Sequence, residues 1–111
     1  MDKQDFYTQV YAIVKEIPYG RVTSYGAIAK SIGMPKSSRI VGYAMNASHD
    51  MPDVPAHRVV NRNGLLTGRM HFATPNQMED LLVKEGILVK EHQVQNFEAL
   101  FWDPFSLINY S

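Results

Sequence analysis

Cysteine is absent from all 111 residues. That excludes a disulfide framework, a thiolate zinc site, an iron–sulfur cluster and a cysteine nucleophile. Long apolar runs are missing too, since no uncharged stretch approaches the ~20 residues that a membrane helix needs. Asp2, Lys3, Asp5, Lys15 and Glu16 interrupt the first twenty positions, so no signal-peptide core can be drawn there. Carboxylates are scarce in one place: none lies between Glu16 and Asp50, where Arg21, Lys30, Lys36 and Arg39 all fall. Net charge is zero, which argues against a polyanion-binding chain as a whole. Its distribution argues the other way. Residues 1–70 hold nine Lys/Arg against five Asp/Glu, and residues 71–111 hold two against six. A polyanion can be met by the first portion, although chance clustering gives the same pattern.

With 45% hydrophobic residues, the chain has enough apolar material for one real core. Its length fits a single domain over 1–111, ending in an aromatic tail over 91–111. Phe6, Val10, Ile13, Val14 and Ile17 recur at helical spacing and predict a first helix from about Gln4 to Ile17, broken by Pro18-Tyr19-Gly20. Thr23 or Ser24 is a good N-cap for a second helix carrying Ala27, Ile28, Ala29 and Ile32, with Gly33 at C′ and Pro35 preventing continuation. Ser37 or Ser38 caps a third helix of about Arg39 to Asn46, with Ile40, Val41 and Ala44 inward. This pair resembles a helix-turn-helix unit, although a helix pair packed for purely structural reasons reads the same way.

Ala56–Val60, the Asn63-Gly64 turn signal and Leu65–Thr67 predict a short β-hairpin. Thr74-Pro75 opens a last helix with Met78, Leu81 and Leu82, ended by Gly86. Phe97, Leu100, Phe101, Trp102 and Phe105 are expected to pack on the core. The expected fold is mainly α with a short hairpin, a winged-helix-like helix-turn-helix domain. His49, His57, His71 and His92 stand at no metal-ligand spacing, so no metal and no cofactor are expected.

Three segments in register carry a resemblance: Pro18-Tyr19-Gly20-x-Val22-x-x-Tyr25-Gly26-x-Ile28-Ala29, Ser38-Arg39-x-Val41-Gly42-x-Ala44-Met45, and Val54-Pro55-Ala56-His57-Arg58-Val59. Over about residues 4–90 the chain resembles the C-terminal, DNA-binding domain of O6-alkylguanine-DNA alkyltransferases. The larger N-terminal domain of many members has no counterpart. The family motif reads Pro-Cys-His-Arg-Val, and its cysteine takes the alkyl group; here that position is Ala56. The chain is therefore similar to the alkyltransferase-like branch, which binds O6-alkylguanine by nucleotide flipping and marks it for nucleotide excision repair.

The resemblance implies a non-enzymatic sensor, monomeric and without membrane attachment, acting inside the cell in the cytoplasm or on the nucleoid. Its partners would be duplex DNA containing O6-alkylguanine and proteins of nucleotide excision repair. Arg39 would be the finger filling the vacated stack, and Tyr25 would help rotate the nucleotide outward. Gly42, Ala44 and Ala47 would keep the third helix low for a minor-groove approach, with Met45 beside them. Val54, Pro55, Ala56, His57, Arg58 and Val59 would line the lesion pocket, and Arg69 would reach the extruded base. His57 and Glu85 would pair as structure, since no thiol remains to be activated. Ser48 stands where the family often has a hinge asparagine, and Asn46 could serve instead. Without the resemblance, Tyr25 reads as a half-buried core aromatic, Arg39 as an ordinary surface or phosphate-contacting arginine, and Arg69 as a solvated loop arginine. Three other readings stay open: an enzyme using His57 and Glu85 on the alkylated base, an alkyltransferase inactivated by Cys-to-Ala replacement, and a plain helix-turn-helix regulator.

Overall fold

Phe6, Val10 and Val14 sit one helical turn apart, and all three are buried on one face of α1 (Lys3–Val14) in the computed structural model, which describes residues 3–107. Positions 1–2 and 108–111 of the expected single domain lie outside the described residues. The helix ends three residues before the expected Ile17. Bonding tightens from Lys15 N–H to Tyr11 O into i→i−3 bonds at Glu16 and Ile17, and Ile17 stays buried in that turn.

A two-residue strand β1 (Thr23–Ser24) leads into α2 (Tyr25–Ser31). The Ser24 hydroxyl accepts the Ala27 amide at 3.1 Å, the capping bond expected of a serine there. Gly33, with φ +86°, ends the helix in the left-handed conformation that glycine adopts without steric cost. In α3 (Ser38–Asn46), Val41 and Ala44 point inward as expected, whereas Ile40 is 38% exposed. Helices α1, α2 and α3 enclose one apolar cluster that includes Val10, Ile28, Val41, Ala44 and Val59.

The expected hairpin is placed elsewhere. Strand β2 (Val59–Val60) pairs in parallel with β1, Thr23 opposite Val59 and Ser24 opposite Val60. Asn61–Gly64 does turn, with Gly64 N–H bonded to Asn61 O and Gly64 at φ +80°. The returning Leu65 then bridges Gln93 rather than Val59–Val60. Because successive strand residues face opposite ways, Val59 enters the first cluster and Val60 enters a second. That second cluster lies under α4 (Gln77–Lys84) and the observed hairpin, β3 (Val89–Lys90) with β4 (Gln93–Val94).

Helix α4 begins later than the expected Thr74-Pro75 start. Gln77 N–H bonds Thr74 O, and the Gln77 side chain accepts the Ala73 amide, so residues 73–76 form a turn instead. Beyond β4, α5 (Phe97–Leu100) leads into a chain that threads past Val22. Val22 N–H donates to Leu100 O, and Trp102 N–H donates to Val22 O. Trp102 packs on the first cluster, and Phe97 and Leu100 on the second, as the aromatic tail was expected to do. The whole is a mainly helical fold with small two-stranded sheets. No helix among the described residues is long and apolar enough to cross a membrane.

The β3–β4 connection places Glu91 (φ 51°) and His92 (φ 62°) in the left-handed region, the backbone of a type I′ turn made from disfavoured residues. Replacing Glu91-His92 by Asn-Gly should raise stability by about 1 kcal/mol, read as a higher urea midpoint at unchanged m.

Candidate nucleic-acid interface

The motif around Ala56 folds as a single 3-10 turn, Ala56–Arg58, entered through Ala56 N–H to Val54 O at 2.8 Å and closed by Arg58 N–H to Pro55 O at 3.0 Å. Two of its side chains converge on Glu85, at the C-terminal end of α4. His57 Nε2 lies 2.6 Å from Glu85 Oε2, and Arg58 Nη2 lies 2.9 Å from the same oxygen. Arg58 Nε also reaches both carboxylate oxygens, and Gly20 N–H donates to Oε1 at 2.7 Å. Arg58 Nη1 bonds the Ile17 carbonyl at 2.9 Å, and the Tyr19 ring stands 5.7 Å from the guanidinium.

Burial pushes the Glu85 carboxyl up, but Arg58, the Gly20 amide and His57 together outweigh it and hold the group below its ordinary value. Burial pushes His57 down, aided by the Arg58 charge and opposed by Glu85, with a net fall below 6.5. Neutral His57 therefore donates Nε2–H to the carboxylate. The expected His57–Glu85 pair is present as geometry. Arg58, expected in the lesion pocket, forms part of the wall, but its guanidinium is engaged by Glu85 and Ile17.

A cavity of about 550 Å³ opens beside this turn. Val54, Pro55, Ala56 and His57 line it together with Met51, Phe72, Gln77 and Leu81. Lys15 and Asp53 pair at 3.2 Å across residues that line it, and His49 meets Phe72 edge-on with centroids 4.8 Å apart. No sequence signal pointed to Lys15, His49 or Phe72, because each joins the cavity from a different loop or helix end. Two expected residues are elsewhere. Val59 is 0% exposed in the first cluster, as strand alternation with Val60 requires. Arg69 is outside the cavity lining, and its Nη1 donates to Leu66 O at 3.1 Å.

Three of the remaining expected residues meet at a second, shallower groove of about 330 Å³. Tyr25, Arg39 and Gly42 line it with Tyr43, Asn46, Thr67, Gly68 and His71. Burial raises the Tyr25 hydroxyl above 10.0, against a hydrogen bond from Thr67. A Cβ on Gly68 would lie 2.8 Å from Tyr25 Oη, so the glycine lets this loop close over the ring. Ala44 (0% exposed) and Met45 (4%) point into the core instead of the groove, on the opposite side of α3. Ser48 is buried, and its hydroxyl caps Met45 O at 2.7 Å.

Residues 5–87 match the family model described as the 6-O-methylguanine DNA methyltransferase DNA-binding domain. Alkyltransferase-like protein 1 of Schizosaccharomyces pombe is 39% identical over 108 residues, covering 94% of this chain and 100% of that protein. A crystal structure of that S. pombe protein with damaged DNA containing O6-carboxymethylguanine superposes with a TM-score of 0.81, over 92% of this chain and 98% of that one, at 38% identity. The DNA base-flipping protein of Escherichia coli is 39% identical over 104 residues, 93% of this chain and 79% of that protein. A methylated-DNA–protein-cysteine methyltransferase of Methanosarcina acetivorans is 45% identical over 80 residues, 72% of this chain. The chain spans 49% of that methyltransferase's length.

Neutralising the central carboxylate by Glu85→Gln leaves Arg58 without its counter-charge. It should cost about 3 kcal/mol of unfolding free energy, measured by urea titration. The lowered His57 and Glu85 values also fix an acid-side trend. As pH falls below the unfolded histidine value near 6.5, the unfolded chain binds the His57 proton first and stability drops. Below 4.5 the Glu85 contribution is lost in turn. His57→Gln should flatten the upper part of this decline, which sets in below about pH 6.5, in urea midpoints taken as the pH is lowered.

Proposed function

The chain belongs to the family of the 6-O-methylguanine DNA methyltransferase DNA-binding domain, and from that premise we propose that it is a sensor that binds O6-alkylguanine in DNA without repairing it. The observation that carries this reading is Ala56 in an otherwise furnished cavity. The His57–Glu85 pair and the wall Val54–His57 are in place, and the position that offers a thiol in the alkyltransferases carries a methyl group. Without a nucleophile at that position, the O6–alkyl bond is held and not broken.

An O6-alkyl group lies on the pairing edge of the base, so inspecting it requires the nucleotide to leave the stack at a cost of a few kcal/mol. The lesion weakens pairing with cytosine, which lowers that cost for the damaged base. In this reading the groove faces the minor groove. Arg39, exposed at the start of α3, fills the space left in the stack, and its planar guanidinium bonds the orphaned partner base. Tyr25, half-buried at the start of α2, presses on the backbone beside the target. Gly42, with nothing within 4 Å of the point a Cβ would occupy, leaves that stretch of α3 open to the groove floor. The extruded base enters the cavity beside Ala56, which leaves room for substituents larger than methyl. Arg69 approaches the base from its loop when DNA is bound. The held complex marks the site for nucleotide excision repair within the cell, and the protein acts as a monomer.

The test is direct. In thiol-free buffer at one salt concentration, the protein should bind a duplex with one O6-methylguanine more tightly than the guanine duplex, and the methyl group should be recovered intact. Arg39→Ala and Tyr25→Ala should each weaken lesion binding about tenfold or more, measured by fluorescence anisotropy. Equal affinities for the two duplexes, or loss of the methyl group, overturn the reading.

A further inference from the structure

Two tyrosine hydroxyls are hydrogen-bonded inside the chain, and a third is covered. Tyr11 Oη donates to Ala44 O and Tyr19 Oη to Lys84 O, each at 2.9 Å, and the Tyr25 hydroxyl lies against Gly68. Tyr43 differs. It is 51% exposed on α3, and its hydroxyl has no hydrogen-bond partner among the described residues. It lines the same groove as Tyr25 and Arg39, and it follows Arg39 by four positions, so the two side chains share one face of the helix. Its neighbour Gly42 has nothing within 4 Å of the position a Cβ would take, so the phenol stands above a low stretch of helix. A large amphipathic ring left in solvent, with a free hydroxyl and beside a cationic finger, is matched by a partner that offers acceptors in a narrow apolar-walled cleft.

We propose that Tyr43 reads the minor-groove edge of a base pair about two steps from the extruded nucleotide, accepting A·T and excluding G·C. This rests on the lesion-binding reading, in which Arg39 marks the vacated position. Four residues of α-helix advance ~6 Å. Stacked base pairs are ~3.4 Å apart, so a helix lying along the groove carries Tyr43 about two pairs beyond Arg39. In the minor groove, A·T and T·A present only the acceptors adenine N3 and thymine O2. The phenolic O–H donates to either, so both orientations are accepted. A G·C pair adds the guanine N2 amine in the same space. That amine fills the groove floor between the hydroxyl and the acceptors beneath it, and its bulk displaces the ring even though the phenolic oxygen can accept from it. The result is a flanking-sequence preference laid over a lesion preference that reads no flanking base.

Dissociation constants for O6-methylguanine duplexes, varied to A·T, G·C or inosine·C at each pair one to three steps on either side, test this at one salt concentration. On one side, about two steps away, G·C should bind about fivefold more weakly than A·T. Inosine·C, which lacks the amine, should recover the A·T affinity. Each variant is compared with its own A·T duplex after thermal unfolding has confirmed that it is folded. Tyr43→Ala should remove the G·C penalty. Tyr43→Phe, which keeps the ring and loses the donor, should keep only part of it. A flat response in the natural protein overturns the proposal, as does a G·C penalty that survives Tyr43→Ala or is not relieved by inosine. A uniform loss of affinity in Tyr43→Ala, the same in every context, assigns the ring to the sugar-phosphate walls and also overturns it. Failure to prefer O6-methylguanine over guanine in any context instead overturns the lesion-binding reading, and this proposal with it.

Discussion

Two oxygens of one carboxylate hold three distant parts of the chain together. Glu85 accepts from Gly20 in the turn after α1, from Arg58 and from His57, while Arg58 reaches on to Ile17 and Tyr19 reaches back to Lys84. The Glu85 side chain is 5% exposed, so it can be ionised there only because its donors replace water. Its place at the C-terminal end of α4 is electrostatically unfavourable, and the Arg58 charge offsets that too. An apolar trio of the same shape would hold these segments with less desolvation. It would not fix their directions, because apolar contacts tolerate sliding and hydrogen bonds do not. The wall of the cavity beside Ala56 inherits its position from this node. A methyl side chain supplies little bulk to brace a loop, so the bracing comes from the residues that follow it.

What the sequence makes legible here is local. The stripe Phe6–Val10–Val14, the Ser24 cap and the stops at Gly33 and Gly86 each depend on neighbours within one or two turns, and each stands where its signal placed it. The node itself spans 65 positions from Gly20 to Glu85, and no periodicity links them. The His57–Glu85 pairing was accessible only through the family motif. The parallel pairing of Thr23–Ser24 with Val59–Val60 is non-local as well. The Asn63-Gly64 turn formed, yet its returning strand found Gln93, a partner no short-range rule could name.

Within the site, the departures at Ala44, Met45 and Val59 share one cause. Adjacent letters of a motif do not share a surface. Ala44 follows Gly42 by two positions, and the 3.6-residue period turns it into the core, where Met45 is buried as well. Val59 follows Arg58, and the two-residue period of a strand turns it inward. Arg58 shows the converse: the motif placed it in the pocket lining, and the fold had already supplied its charge with a carboxylate. The same periods, applied to exposure instead of burial, bring Tyr43 into line with Arg39.

The charge distribution bears on how a neutral protein can search DNA. Non-specific attraction grows with the number of phosphates neutralised, and it is the same for damaged and undamaged duplex. In the proposed reading the carboxylate-free stretch from Ile17 to His49 contributes to that attraction through the exposed Arg21, Lys30, Lys36 and Arg39. The acidic C-terminal portion limits its total. A weaker common term leaves a larger share of the binding free energy to steps that differ between the two duplexes. In the proposed reading those steps are extrusion of the base and its fit beside Ala56. With no bond made to the alkyl group, selectivity can come only from that difference, because nothing makes a correct encounter irreversible. A sensor built this way gains from modest affinity for ordinary DNA: each undamaged site is released quickly, and only a base that leaves the stack cheaply prolongs the encounter.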